Sequence, residues 1–533
     1  MSTFRYRVSD LTIPLDKDTP AQLKKAVCTA LRVKEEQILS VKLAKRSVDA
    51  RKKNDVRLNT TAEVVLKKAL REPLPKGTSK YTPNPYTVAL HPRPLRQPLV
   101  VGCGPAGLFA ALVLAMAGQC PLLIDRGRAV ADREADVRKF WQTGVLDTQS
   151  NVQFGAGGAG AFSDGKLNTG IKDPRIRFVL EEFVRCGAPE QILTDAKPHV
   201  GTDRLHLTIH NLIEKIRHLG GKVCFETTLT HIDTTGGKVN AVTLTHNGID
   251  RVIHPESVIL AVGHSARDTF AHLYDQGIRM EAKPFSVGAR IEHHQSMIDR
   301  AQYGTFAGHR ALGAADYKLA VHTPDGRGVY TFCMCPGGTV VAAASEEGMV
   351  CTNGMSEFAR DKENANAAVL VGISPADFGS DHPLAGMVLQ RKLERAAYLA
   401  GGGDYKAPAQ LVGDFLQNRP SVNFGKVTPS YTRGVTPADL TQCLPESVTA
   451  AMRAGLVQMD RALKGFADPE AVLTGVEARS SSPVRMLRGE TGQSVTVQRL
   501  YPCGEGAGYA GGITSAAVDG IRCAEFVLKN TNI

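Results

Sequence analysis

Apolar residues follow three rhythms along this chain, and each predicts a different kind of element. Residues 3–13 (TFRYRVSDLTI) alternate apolar with polar positions, the period of a half-buried strand. From 20 to 31, Leu23, Ala26, Val27, Ala30 and Leu31 recur at helical spacing, and 38–43 reads as a second strand. A small α+β module is the reading for this front segment. From residue 99 the pattern changes to short, wholly apolar runs. Leu99, Val100 and Val101 form one run and Leu122, Leu123 and Ile124 another, as parallel strands buried on both faces require. The apolar stretch between them, ending near Gly118, has the length of a helix.

Glycines join these runs. Gly102, Gly104 and Gly107 give the GxGxxG spacing directly after the first strand, and Pro105 suits the first turn of the following helix. The first glycine permits a tight turn, the second lets a diphosphate approach the backbone, and the third brings helix and strand close. Free N–H groups at the helix start would face the diphosphate. Asp125 ends the second strand, where a carboxylate takes the adenosine ribose hydroxyls. Strand, helix and acidic residue together make this a dinucleotide site. Gly155, Gly157 and Gly160 repeat the spacing in NVQFGAGGAGAFSDGKLNTG, but no apolar strand leads in and no apolar helix follows. That second run is expected to be a loop offering backbone N–H groups to a flat cofactor, not a second nucleotide turn.

Beyond it, 129–141 and 205–219 read as helices, and 223–232 as a strand that leads into a hairpin-like pair ending at 258–262. From about 280 to 490 the strand–helix alternation stops, and short strands mix with helices over 384–399 and 446–464. The end, 501–527, is again glycine-rich and leads into a helix of small residues. The fold class is α/β: a Rossmann-like dinucleotide domain carrying an inserted mixed α/β domain, behind a small α+β front domain. The expected boundaries are 1–75 for the front domain and 76–98 for a linker. The nucleotide domain follows in two parts, 99–285 and 491–533, around a substrate domain over 286–490. Seven of the 28 prolines fall between 73 and 98, which makes that stretch stiff and extended.

Charge sharpens the division. Of a net +11, residues 1–96 carry +12, with 21 Lys/Arg against 9 Asp/Glu, so the remaining 437 residues are near neutral. A solvated basic face is the expected reading, and contact with nucleic acid or another polyanion through 1–96 the alternative; no interleaved aromatic platform supports RNA stacking. The start has no apolar signal core, the longest apolar stretch (108–117) is too short for a bilayer, and the eleven cysteines show no zinc or disulfide spacing. A cytoplasmic location without membrane contact is expected.

Seven ordered motifs carry a resemblance: VVGCGPAGL, FGAGGAGAFSDGKLNTG, VILAVGHSARDTF, KPFSVGARIEH, YTFCMCPGG, NGMS and GEGAGYAGGITSAAVDGI. Together they resemble the uncharacterised FAD-dependent dehydrogenases of bacteria, within the glutathione-reductase-like flavoproteins. The match covers roughly 99–533, and the front module also resembles that family's N-terminal domain. The resemblance implies FAD. It puts Gly102, Gly104, Pro105, Ala106 and Gly107 at the diphosphate, with Asp125 and Arg126 at the adenosine side and Leu229 offering backbone to adenine. Gly157, Gly158 and Ser163 would lie beside the isoalloxazine ring, with Gly263 at the cofactor edge. Gly511, Gly512, Ile513 and Thr514 would open the last helix toward the flavin N1–C2=O edge, where the positive helix end stabilises negative charge. Glu505 stands where that motif usually has aspartate.

No second strand–GxGxxG–helix unit exists for a nicotinamide, so NAD(P)H is expected to dock transiently or the organic substrate to donate the hydride. Candidate catalytic residues are His264 after a strand end, weighed as a proton donor against a cofactor-edge or structural contact, Arg290 in GARIEHH and Arg433 as a carboxylate clamp. Glu292, His293 and His294 are weighed as an exposed run. Cys333 and Cys335 lack CxxC spacing and are read as strand packing beside a turn, and Cys503 as an inert buried thiol. The expected function is hydride transfer through flavin N5 with an unidentified small organic substrate. Alternatives are a flavin monooxygenase, an RNA-modifying flavoenzyme and a non-catalytic FAD-binding redox sensor.

Overall fold

Strand Leu99–Val101 lies at the centre of a five-stranded parallel sheet, with Val258–Leu260 and Leu500–Pro502 on one side and Leu122–Ile124 and Lys222–Cys224 on the other. The computed structural model describes residues 4–531. Each of these strands is three residues long, and the inner ones are wholly apolar because both faces are covered. Val100, Leu123 and Ile259 share a core with helices Pro105–Met116, Thr202–His218 and Ile513–Asn530. Leu99, Val101, Ile124 and Leu260 point the other way, toward a three-stranded antiparallel ribbon (Thr227–Thr235, Lys238–His246, Ile249–Ile253) and helix Arg267–Asp275. The alternation along each strand thus separates two cores. Helix Pro105–Met116 is apolar all round because the sheet and the last helix enclose it. A Cβ on Gly520 would stand 2.0 Å from the Ala106 carbonyl oxygen, so the two helices approach that closely only through glycine.

The predicted 223–232 strand is two. Its first piece joins the parallel sheet; after Glu226, at φ 51°, the second begins the antiparallel ribbon. A single strand cannot serve two sheets that run in different directions, and a turn at Glu226 breaks it.

The front domain is a four-stranded antiparallel sheet in the order Ile38–Asp49, Arg57–Leu66, Phe4–Pro14, Thr78–Lys80, packed on helix Pro20–Leu31. Thr19 caps that helix, its hydroxyl accepting from the Gln22 N–H at 3.2 Å. Two expectations need correction here. The strand predicted over 38–43 runs on through basic residues to Asp49, and Thr78–Lys80, assigned to the linker, is the sheet's edge strand opposite Tyr6, Arg7 and Val8. The remainder of the proline-rich stretch is pinned to the last helix. Tyr86 donates to Glu525 at 2.7 Å, and Arg93 donates to the Thr531 carbonyl.

The inserted region builds a seven-stranded sheet around Asn364–Ile373, Phe285–His294 and Val472–Glu477, covered by helices Ala385–Ala400 and Glu446–Ala462 among others. The chain re-enters the parallel-sheet body at Val484–Met486, which pairs with Met280–Ala282. Among the described residues no helix is long and apolar enough to cross a membrane.

Candidate functional site

A cavity of about 490 Å³ opens at the carboxyl ends of strands Leu99–Val101 and Val258–Leu260, where open parallel sheets bind ligands. Three glycine-rich segments wall it. The first is the turn after Val101. Gly102 sits at φ 104°, and a Cβ there would be 2.3 Å from the Ala261 carbonyl oxygen; one on Gly107 would be 1.8 Å from the Gly102 oxygen. Gly107 therefore packs helix on strand and does not reach the cavity, whereas Gly102, Gly104, Pro105 and Ala106 line it. The buried Asp125 carboxylate accepts the Cys103 N–H at 2.7 Å and the Gly127 N–H at 2.9 Å. It fixes the turn and keeps lone pairs for two ribose hydroxyls. Arg126 donates to Asp268 and Thr269 and stacks 4.6 Å over the Phe154 ring.

The second segment, 151–163, folds as a loop with one 3-10 turn, Ala159–Phe162, as its pattern predicts. Its organiser is Arg133, on helix Val130–Thr143. This buried guanidinium donates to the carbonyls of Asn151, Val152, Ala156 and Gly158 at 2.6–2.9 Å, and more weakly to Gly155. Burial pulls Arg133 down to about 10, still cationic at neutral pH. Gly158 and Ser163 line the cavity; Gly157 does not, since it donates to the Cys103 carbonyl and faces Ile209.

The third segment precedes the last helix. Gly511, Gly512 and Ile513 line the cavity at its start, while Thr514 turns inward and donates to the Leu167 carbonyl at 2.7 Å. Glu505 accepts the Gly512 N–H at 3.3 Å, and burial pushes its carboxyl up to about 7. Leu229 and Gly263 also line the cavity.

The inserted sheet supplies the far wall. His264 is there as predicted, and burial, with Arg479 and Arg267 nearby, drops it to about 4. Ser265 donates to Gln153 at 3.0 Å, so His264 Nδ1–H must be the donor in its 3.1 Å bond to Ser265. The ring is neutral with Nε2 an acceptor: a base or an anchor, not the proton donor weighed from sequence. Glu477, Arg479, Cys333, Lys166, Asn353 and Arg360 complete the wall. Arg479 is held by Glu394 and by Ser345, and Asp164 ties Lys166 to Arg360.

Two predicted catalytic residues lie elsewhere. Arg433 donates to the carbonyls of Trp141, Gln142 and Asp404 and does not line the cavity. Arg290 is fully buried behind the wall, paired with Glu477 at 2.9 Å and donating to Asn366 and the Cys333 carbonyl. Its role is to hold wall residues in place. Glu292 and His293 are core groups bonded to Ser430 and to the Phe466 carbonyl, not an exposed run. Sequence reasoning missed Arg133, Glu477 and Arg479, whose partners lie far off in the chain.

The walls fit FAD. A Cβ built on Gly263, Gly511 or Gly512 would meet nothing within 4 Å, so all three border open space in the cavity. Two helix starts, at Pro105 and Ile513, border it, and the first-turn N–H groups of a helix lack partners within the helix, as a diphosphate and an anionic ring edge require. Residues 284–480 match the family described as FAD-dependent protein, C-terminal domain-like, and residues 5–65 match a domain of unknown function. Among solved structures, a geranylgeranyl bacteriochlorophyll reductase-like protein from Thermoplasma acidophilum is 12% identical, covering 82% of this chain and 79% of its own, with a TM-score of 0.35. A flavoprotein/dehydrogenase from Cytophaga hutchinsonii gives the same four figures. An uncharacterised protein of Clostridium beijerinckii is 45% identical over 546 residues, 99% of each chain. With that identity over its whole length, the chain belongs to the family of this clostridial protein, and FAD is its cofactor.

Proposed function

We propose that the protein is an FAD-dependent oxidoreductase that moves a hydride between flavin N5 and a polar organic substrate. The observation that carries this reading is one continuous cavity, which runs from Asp125 and the first glycine turn to a polar wall of the inserted sheet. One end suits a dinucleotide; the other offers charged side chains that a purely structural flavin would not need. FAD, when bound, supplies two-electron chemistry at N5. The chain's own residues orient and exclude. Asp125 and the turn hold the adenosine side, the Arg133-clamped loop covers one face, and the Ile513–Asn530 helix start favours negative charge at the ring edge. Neutral His264 accepts a substrate hydrogen bond or proton, and Arg479 and Lys166 position polar substrate groups.

NAD(P)H, in this proposal, docks transiently over the ring, because no second nucleotide turn accompanies the first. The front domain's charge supports a solvated and docking face more than a polymer site. Arg7, Lys24, Arg51 and Arg57 pair with acids of their own domain, and Arg46 with Asp18 and Asp195.

The test is anaerobic stopped-flow absorbance of the holoprotein after adding NADH or NADPH. Fast, saturable bleaching of the flavin band is the expected result. A band that neither nicotinamide nor any of a panel of polar metabolites bleaches would overturn the oxidoreductase reading in favour of a redox sensor. Hydroxylated product on admitting oxygen would move it to a monooxygenase.

A further inference from the structure

The sequence gives no spacing reason to read Cys333 and Cys335 as a redox pair, but their surroundings do. Both belong to strand Gly328–Cys335, whose register against Asn364–Ile373 slips between Phe332 and Cys335. Cys333 sits in that irregularity at φ 43°, a left-handed conformation that a non-glycine residue in a strand rarely adopts. In a regular strand, side chains two apart stand side by side about 7 Å apart. Here the slipped register breaks that regular spacing, and the Cys335 thiol donates to the Cys333 carbonyl at 3.2 Å, which sets its sulfur against the Cys333 residue.

Their exposure is unequal. Cys333 is half-buried and lines the flavin cavity, while Cys335 lies fully buried behind it. Charge converges on the pair. Lys166, from the glycine loop, donates to the carbonyl of Met334 between them. Arg290 donates to the Cys333 carbonyl at 3.1 Å. The Cys335 hydrogen bond, with Lys166 and Arg290 beside it, holds Cys333 below the ordinary thiol range, while the same contact and burial push Cys335 up. A thiolate facing the cavity with a protonated partner behind it is the arrangement in which thiol–disulfide chemistry runs.

We propose that Cys333 and Cys335 are a dithiol that exchanges two electrons with the bound flavin through a reversible Cys333–Cys335 disulfide. In the oxidising direction the Sγ–Sγ bond forms and the Cys335 S–H bond breaks, the Cys333 proton having already left to solvent. The electron pair and one proton pass to oxidised FAD. The reverse direction reopens the disulfide. This rests on FAD occupying the cavity and not on which substrate or nicotinamide feeds it.

The experiment is an anaerobic dithionite titration of ferricyanide-oxidised, desalted holoprotein, with samples alkylated and mapped by mass spectrometry. Wild type is expected to consume four electrons per FAD, with Cys333 and Cys335 shielded from alkylation before titration and modified after it. Cys335→Ser should consume two. Uptake of two electrons by wild type, with both cysteines alkylated from the start, would overturn the proposal. So would four electrons with the disulfide mapped elsewhere, to Cys503 and Cys523 for example, whose thiols also adjoin. Dithionite reduces the flavin whatever the physiological donor, so a failed titration and an absent response to NAD(P)H are separate results.

Discussion

The chain writes GxGxxG twice, at Gly102–Gly107 and Gly155–Gly160, and the two behave as different objects. The first is held by its neighbours in sequence: a strand before it, a helix after it, and Asp125 at the next strand end bonding back to Cys103. The second has no such frame and is held by one side chain, Arg133, about twenty residues upstream and buried against its carbonyls. Glycine spacing alone therefore specifies flexibility and close approach. What the loop becomes depends on who satisfies its backbone.

The comparison breaks most sharply at Arg133. Arg133→Met keeps the length and removes the donors, leaving buried carbonyls unpaired at about 1–3 kcal/mol each. The expected result is the largest drop in urea midpoint of the variants here, with FAD lost on gel filtration. Gly107→Ala attacks the first turn instead, because its Cβ overlaps the Gly102 carbonyl. Overpacking of this kind costs about 1–3 kcal/mol, and FAD affinity by flavin fluorescence should fall at least tenfold, about 1.4 kcal/mol. A Gly107→Ala protein with unchanged affinity would show that the third glycine does no packing here.

Glu505 sharpens the comparison at the third glycine segment. Burial holds its carboxyl near 7 when folded, against an ordinary 4.5, so the folded state binds more protons between those values. Apoprotein stability should fall as pH rises from about 4.5 through 7, by about 1–3 kcal/mol, and Glu505→Gln should flatten that slope in pH-dependent urea melts. The smallest effect is expected from Arg433→Ala, which removes donors at the end of helix Val130–Thr143, well outside the cavity. It should lower stability by about 1 kcal/mol and leave the flavin spectrum and affinity unchanged. A lost flavin band would restore Arg433 to the site.

What the sequence displayed was whatever neighbours in sequence enforce. The first turn, its helix, Asp125 and the small-residue last helix are periodic or closely spaced, and each stands where the pattern puts it. The 223–232 strand misled because Glu226 hides a change of sheet inside an otherwise strand-like run. Arg290 and Arg433 misled for a different reason. An arginine's residue type advertises anion binding, yet its donors go to whatever buried acceptor the fold brings near, and here Glu477 and backbone carbonyls arrive first. Glu477 and Arg479 were invisible because their partners Arg290 and Glu394 are 187 and 85 positions away.

The parallel sheet is stitched from both ends of the chain, and that sets an order of events during synthesis. Strand Leu500–Pro502 pairs with Val258–Leu260, and the Ile513–Asn530 helix closes over Pro105–Met116. A nascent chain that has emerged only as far as residue 490 holds the first glycine turn, the clamped loop and the whole inserted sheet, but an unclosed flavin cradle. Until strand Leu500–Pro502 and helix Ile513–Asn530 have left the ribosome, apolar residues of the Pro105–Met116 helix stay uncovered on one side.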